Sequence, residues 1–185
     1  DGCGTPSDSV MVKITVNPKP SVSFTADTLS GCSPVCTMFK DLSTIASGSI
    51  SSWLWNFGDG NTDTSKLPYH CYSKPGSYSV TLMVTSNNGC SSTLAIPKMI
   101  NVYSYPVAAF DLGPQPATIL EPTINFTDKS TDAYGIASWL WNFGDPLDGT
   151  SNIQNPTYSY KDTGTFCTTL TVTNIHGCMD SIVEC

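Results

Sequence analysis

The octapeptide Ser-Trp-Leu-Trp-Asn-Phe-Gly-Asp occurs twice without change, at Ser52–Asp59 and at Ser138–Asp145. The copies stand 86 residues apart and hold all four tryptophans of the chain. So long an identity within 185 residues means a duplicated module, which outranks any local reading. The string also names a structure. Trp53, Trp55 and Phe57 alternate with Leu54 and Asn56, as Trp139, Trp141 and Phe143 alternate with Leu140 and Asn142. A strand with that period puts three aromatic rings on one face, the expected core of each module. Gly58-Asp59-Gly60 then breaks the first copy with a turn.

Aligning the copies extends the match. Ser23-Phe24 pairs with Ala109-Phe110, and Phe39–Thr44 with Phe126–Thr131. Pro68–Tyr72 pairs with Pro156–Tyr160. Tyr78, Val80, Leu82 and Val84 pair with Phe166, Thr168, Leu170 and Val172, both with period two. Pro146–Gly149 carries a small insertion in the second copy, so later counterparts lie 88 residues apart. The boundaries read as residues 18–104 for repeat one and 105–185 for repeat two, the latter C-terminally truncated. Residues 1–17 read as the last strand of a preceding repeat plus a linker. Val10, Val12, Ile14 and Val16 alternate there, and Asp1-Gly2-Cys3 echoes Asn88-Gly89-Cys90 and His176-Gly177-Cys178. Each copy holds about seven short strands with a turn signal every 8–12 residues or so, and nowhere a sustained helical period. The expected fold is all-β, two tandem antiparallel sandwiches.

Composition narrows the partners. The chain has 13 Asp, 2 Glu, 8 Lys and no Arg, for a net charge of −7. Such a chain lacks the cationic clusters that grip phosphate, so nucleic acid is an unfavourable partner. No apolar run approaches the ~20 residues of a membrane span. Eight cysteines without a Cys-x-x-Cys pair, beside only His70 and His176, argue against zinc and for disulfides in an oxidising compartment. Localisation is therefore expected to be secreted or at the extracellular cell surface.

Trp53–Gly60, then Pro68-Tyr69-His70-Cys71-Tyr72, then Pro75-Gly76 with Tyr78, Val80, Leu82 and Val84 resemble the polycystic kidney disease (PKD) domain. The second copy departs mildly. Pro146 follows Asp145, Tyr158 replaces His70, and Thr163 replaces Pro75. The resemblance implies an immunoglobulin-like β-sandwich, in accord with the strand count. Gly31-Cys32-x-Pro34 and the Asn-Gly-Cys turn are similar to tandem copies in large surface proteins of gliding, type IX-secreting bacteria, which implies an adhesin-like context.

The cysteines are read from register and parity. Cys167 and Cys185 each lie nine residues from His176, so a hairpin centred there sets them opposite one another, near the ~5.5 Å Cα spacing of a disulfide. Cys36 and Cys71 share outward parity on strands that are neighbours in this fold class. Cys32 pairs either with Cys90 inside repeat one or with Cys178 across the repeats. The first option leaves Cys178 alone, because Ile119 occupies the matching site. The second leaves Cys90 and Cys3 alone.

No catalytic constellation emerges, and the chain is not expected to be an enzyme. Asp59 and Asp145 follow Phe-Gly in strand-ending turns, where a carboxylate caps backbone N–H groups. Calcium is the one cofactor considered, with Asp128, Ser130 and Asp132 as weak ligand candidates ahead of Gly135. Tyr103, Tyr105 and Tyr134 are candidates for sugar contact but form no stripe. The expected role is a non-catalytic stalk or spacer of a cell-surface adhesin-like protein. The alternative is an accessory substrate-binding module of a secreted hydrolase acting on a polysaccharide or protein polymer. Expected partners are neighbouring repeats of the same chain and other surface proteins or polysaccharide, with no nucleic acid and no direct membrane insertion.

Overall fold

A computed structural model describes residues 15–115, 118, 120 and 122–185. Cys3 and the proposed leftover strand up to Ile14 lie outside them. Repeat one runs through β1 (Phe24–Ala26), β2 (Ser30–Cys32), β3 (Val35–Asp41), β4 (Ile50–Asn56), β5 (Thr62–Asp63), β6 (Tyr69–Tyr72), β7 (Gly76–Ser86) and β8 (Ser91–Tyr103). Repeat two runs through β9 (Phe110–Gly113), β10 (Thr123–Asp128), β11 (Ile136–Asn142), β12 (Thr150–Ser151), β13 (Thr157–Ser159), β14 (Thr168–Asn174) and β15 (Met179–Glu184).

The strands make two sheets per repeat. In repeat one the orders are β1-β3-β6 and β2-β8-β7-β4-β5; in repeat two they are β13-β10-β9 and β12-β11-β14-β15. The tryptophan strand pairs identically in both. Trp55 lies opposite Leu82 and Trp53 opposite Val84, as Trp141 lies opposite Leu170 and Trp139 opposite Val172. A register shift after Ile50 recurs after Ile136. All pairs are antiparallel except β2 with β8, where Gly31 lies beside Val102 and Cys32 beside Tyr103 in parallel register. This differs from the wholly antiparallel sandwich expected, and it puts Cys32 at the end of a strand. The cause lies in β8. It pairs with β7 along one edge as far as Val102, and its other edge at Asn101–Tyr103 is covered by β2.

Each sandwich closes on its own core. In repeat one Trp55, Phe57, Phe39, Tyr72, Val80, Leu82, Val84, Ile100 and Val102 are all essentially sealed from solvent. In repeat two Trp141, Phe143, Phe126, Leu170 and Val172 hold the matching places. Phe24 meets Trp55 edge-on at 5.2 Å between centroids, and Phe110 meets Trp141 at 5.1 Å, the geometry that ring quadrupoles favour. β8 carries Ile100 and Val102 into the core of repeat one. In repeat two a cavity of about 420 Å³ is lined by Ile124, Phe126, Tyr160 and Phe166 among others.

Candidate functional site

The duplicated string forms two polar locks in each repeat. Trp53 and Trp139, half-buried, donate their indole N–H to Asp41 and Asp128, each at 2.7 Å. Trp55 and Trp141, fully buried, donate to the carbonyls of Ser65 and Ile153 at 3.0 and 2.9 Å. The two face-sharing tryptophans therefore play different parts. One fills the core and the other ties the sheets together at its margin.

The second lock is the turn after Phe-Gly. Asp59 accepts the Asn61 backbone N–H at 3.0 Å and meets His70 Nε2 at 2.8 Å. Since an ionised carboxylate only accepts, Nε2 is the donor. The His70 ring stacks flat on Phe57 at 4.2 Å. In repeat two Asp145 accepts the Gly149 N–H at 2.9 Å and the Tyr158 hydroxyl at 2.6 Å, and Tyr158 stacks on Phe143 at 4.1 Å. His70 and Tyr158 are thus the same part, a planar ring with a donor at its tip. Beneath them Tyr72 and Tyr160 donate to the carbonyls of Phe57 and Phe143, both at 3.1 Å.

These contacts set the ionisation. Burial raises the Asp59 pKa, but the Asn61 N–H and the His70 contact outweigh it, so the net shift is downward. Asp128 follows the same balance through Ser130, Gln154 and Trp139. Asp145 is lowered first by its Tyr158 hydrogen bond, which in turn pushes Tyr158 up to about 12. Asp63 is lowered by the Ser65 hydroxyl. A carboxyl whose folded pKa lies below its unfolded value adds stability above the unfolded value. That stability is lost as the pH falls through the folded value. All four shifts have this sign, so the melting temperature is expected to hold near neutrality and fall once the pH drops below about 4. Asp59→Asn should blunt the acid fall in repeat one. A melting curve unchanged from about pH 5 to about pH 3 would contradict the assignment.

The three calcium candidates are occupied by the protein itself. Asp128 accepts the Ser130 N–H and the Trp139 and Gln154 side chains. Ser130 exchanges hydrogen bonds with Ala109, and Asp132 accepts the Tyr134 N–H and the Asn174 amide. Among the described residues no three His, Cys, Asp or Glu side chains are grouped so as to hold a metal.

The junction between the repeats is the other concentration of side chains. Cys32 is bonded to Cys178, not to Cys90, with Cα atoms 5.7 Å apart. The Ser33 N–H donates to the Tyr103 carbonyl at 2.9 Å, which fixes β2 against the end of β8. The Tyr103 ring stacks on His176 at 3.6 Å and 4° between planes, and Tyr134 meets both rings edge-on. Asn174, buried at the hairpin, donates to the Ser104 carbonyl at 3.1 Å and accepts the N–H groups of His176 and Cys178. A covalent bridge, a ring stack and a buried amide therefore grip a linker of a few residues. Two further bridges lie within single repeats. Cys36–Cys71 joins β3 to β6, and Cys167–Cys185 lies just beyond the last β14–β15 pair. Both have Cα atoms 4.0 Å apart, which for Cys167–Cys185 is closer than the spacing read from the sequence.

A family profile described as the PKD domain matches residues 17–100 and again 104–184. The chain belongs to the PKD domain family. Among curated proteins, a microbial collagenase of Vibrio alginolyticus is 39% identical over 77 residues, 42% of this chain and 10% of the collagenase. The pre-pro-metalloprotease PrtV of Vibrio cholerae serotype O1 is 48% identical over 56 residues, 30% of this chain and 6% of that protein. Among solved structures, the PKD1 domain of that metalloprotease covers 46% of this chain and 99% of its own, at 34% identity and a TM-score of 0.38. The PKD repeats thus span a small fraction of the curated relatives they match.

Sequence reasoning found the tryptophans and the turn aspartates of the PKD repeats but missed Asp41, the tyrosine hydroxyls and the ring cluster. For the cluster a signal existed. The positions matching Tyr103, Tyr134 and His176 hold Asn17, Gly48 and Asn88. These three differences between the copies meet at one junction.

Proposed function

We propose that this PKD pair is a non-catalytic extracellular module whose task is to hold neighbouring parts of a larger protein at a set spacing, as in the stalk of an adhesin-like surface protein. The observation that carries the reading is the Cys32–Cys178 bridge with its Tyr103–His176 stack. A linker meant to bend freely has no use for both. Interfaces within a chain leave domains mobile by default unless something restrains them. The three disulfides support an oxidising, extracellular setting. The turn carboxylates engage donors already, which supports a structural duty for them.

Small-angle scattering tests this directly. The oxidised chain should give a narrow distribution of interatomic distances, and a Cys32→Ser/Cys178→Ser variant a broader one. Equal breadth in both would remove the spacer reading.

A second reading is favoured by the relatives, which are named as a collagenase and a metalloprotease. In that reading the repeats serve beside a catalytic domain and help it engage a polymer. Pull-down on insoluble collagen, chitin and cellulose separates the two. Retention on any of them supports the accessory role, while passage through all three supports the spacer.

A further inference from the structure

Cys90 is a free thiol, half-buried, in the last hairpin of repeat one. Its counterpart in repeat two, Cys178, is fully buried in the bridge to Cys32. The two hairpins match in detail. In each, the residue four before the cysteine donates its N–H to the cysteine carbonyl at 2.9 Å, Ser86 to Cys90 and Asn174 to Cys178. In each, that residue's side-chain oxygen accepts the cysteine N–H, Ser86 Oγ at 3.1 Å and Asn174 Oδ1 at 3.0 Å. Gly89 and Gly177 turn at φ +80° and +82°. The two cysteines therefore leave equivalent backbones, yet among the described residues only Cys178 has a disulfide partner.

The linkers supply an independent observation. Ser21 bridges Thr44 as Val107 bridges Thr131, so the entries to the two repeats are in register. Counting back from there, Asn17 stands where Tyr103 stands before repeat two. Cys32 lies beside Tyr103 in the β2–β8 pairing. The Cys90 sulfur lies 3.8 Å from the Asn17 carbonyl oxygen. It thus points at the backbone along which a strand like Ser30–Cys32 would run if another module preceded repeat one.

We infer that Cys90 is the docking half of a second inter-module disulfide, whose other half is the β2-type cysteine of a further PKD module seated ahead of repeat one. The bond forms by thiol–disulfide exchange with a low-molecular-weight disulfide as oxidant. The Cys90 thiolate attacks one sulfur of the oxidant and releases a thiol. The incoming cysteine's thiolate then attacks Cys90 Sγ and releases the second. Two electrons and two protons leave the protein on the two released thiols. The inference rests on the Cys32–Cys178 geometry, not on the spacer reading.

The test adds the missing partner. A copy of residues 18–102 replaces residues 1–16 directly ahead of Asn17. The exposed Leu29 of the copy is changed, Leu29→Val, so that its Cys32 peptide has a mass of its own, and the copy's own Cys90 is replaced, Cys90→Ser, so that repeat one supplies the only Cys90 peptide. After oxidation with glutathione disulfide, non-reducing peptide mapping should find the copy's Cys32 joined to Cys90, and Cys90 should lose its reactivity toward iodoacetamide. When repeat one's Cys90 is replaced as well, Cys90→Ser, the copy's Cys32 should become alkylatable. Mapping that recovers Cys32–Cys178 and both Cys36–Cys71 bridges, yet finds Cys90 as reactive as in the 185-residue chain, overturns the inference. Those intact bridges would exclude misfolding as the reason.

Discussion

Trp55→Ala should strongly destabilise repeat one while repeat two keeps its stability. Trp55 is sealed from solvent near the end of β4, edge-on to Phe24 and 5.6 Å from Phe39 between centroids. Its removal leaves a large void between two sheets and strands the Ser65 carbonyl it now serves. Truncating a buried tryptophan costs about 3–5 kcal/mol, against the 5–15 kcal/mol or so that holds a typical domain. The two cores share no buried residue, so the loss should be confined to the first. Urea unfolding followed by tryptophan fluorescence should separate into two transitions, the earlier from repeat one. Trp53→Ala is the control. Trp53 is half-exposed, so its loss should cost roughly 1–3 kcal/mol, chiefly through the bond to Asp41. If Trp53→Ala proves the more damaging of the two, the division of labour between these tryptophans is wrong.

That division was only half legible in the sequence. Period two places Trp53, Trp55 and Phe57 on one face, and the structure keeps them there. It does not say how far along the strand the opposing sheet reaches. Trp53 lies at the margin of the second sheet, where its indole N–H meets Asp41 at the end of β3. Finding that partner requires the placement of two sheets relative to each other, which no local pattern encodes. β2 escaped for a similar reason. Ser30-Gly31-Cys32 has no alternation and no apolar run. It becomes a strand because the free edge of β8 offers backbone groups to pair with.

The junction shows the same limit in its cysteines. Pairings inside one hairpin or between adjacent strands follow from register, and register follows from parity. The partner of Cys32 depends on how one sandwich sits on the next. That is set by Tyr103, Ser104, His176 and Asn174 in contact, a grouping that neither composition nor period reveals. Comparison of the copies with each other carries more information there than either copy alone. What both repeats keep builds the sandwich. What only the junction has builds the connection.

Gly58 offers the sharpest test of what both repeats keep. Its φ is +82°, and a Cβ placed on it would lie 2.4 Å from the Ser79 carbonyl oxygen. Gly144 repeats the arrangement, with φ +70° and the Cys167 carbonyl oxygen at 2.2 Å. Gly60, two residues on, has φ +97° and open space around it. Both Gly58→Ala and Gly60→Ala force an L-residue into left-handed backbone, which costs roughly 1–2 kcal/mol. Only Gly58→Ala must also push aside a main chain, where no flexible side chain can yield. Overpacking of that kind adds about 1–3 kcal/mol, so the total is expected at roughly 2–5 kcal/mol. Ser79 lies where the β7–β8 register shifts between Tyr78 and Val80, and its hydroxyl accepts the Lys98 N–H there. Displacing it would therefore disturb the pairing of the strand that carries Ile100 and Val102 into the core. Urea midpoints of the two alanine variants, compared with the parent chain, decide the matter. A clearly lower midpoint for Gly58→Ala than for Gly60→Ala is expected. Equal midpoints would mean that the Phe-Gly-Asp glycine serves only its backbone angle and that the close approach to β7 is dispensable.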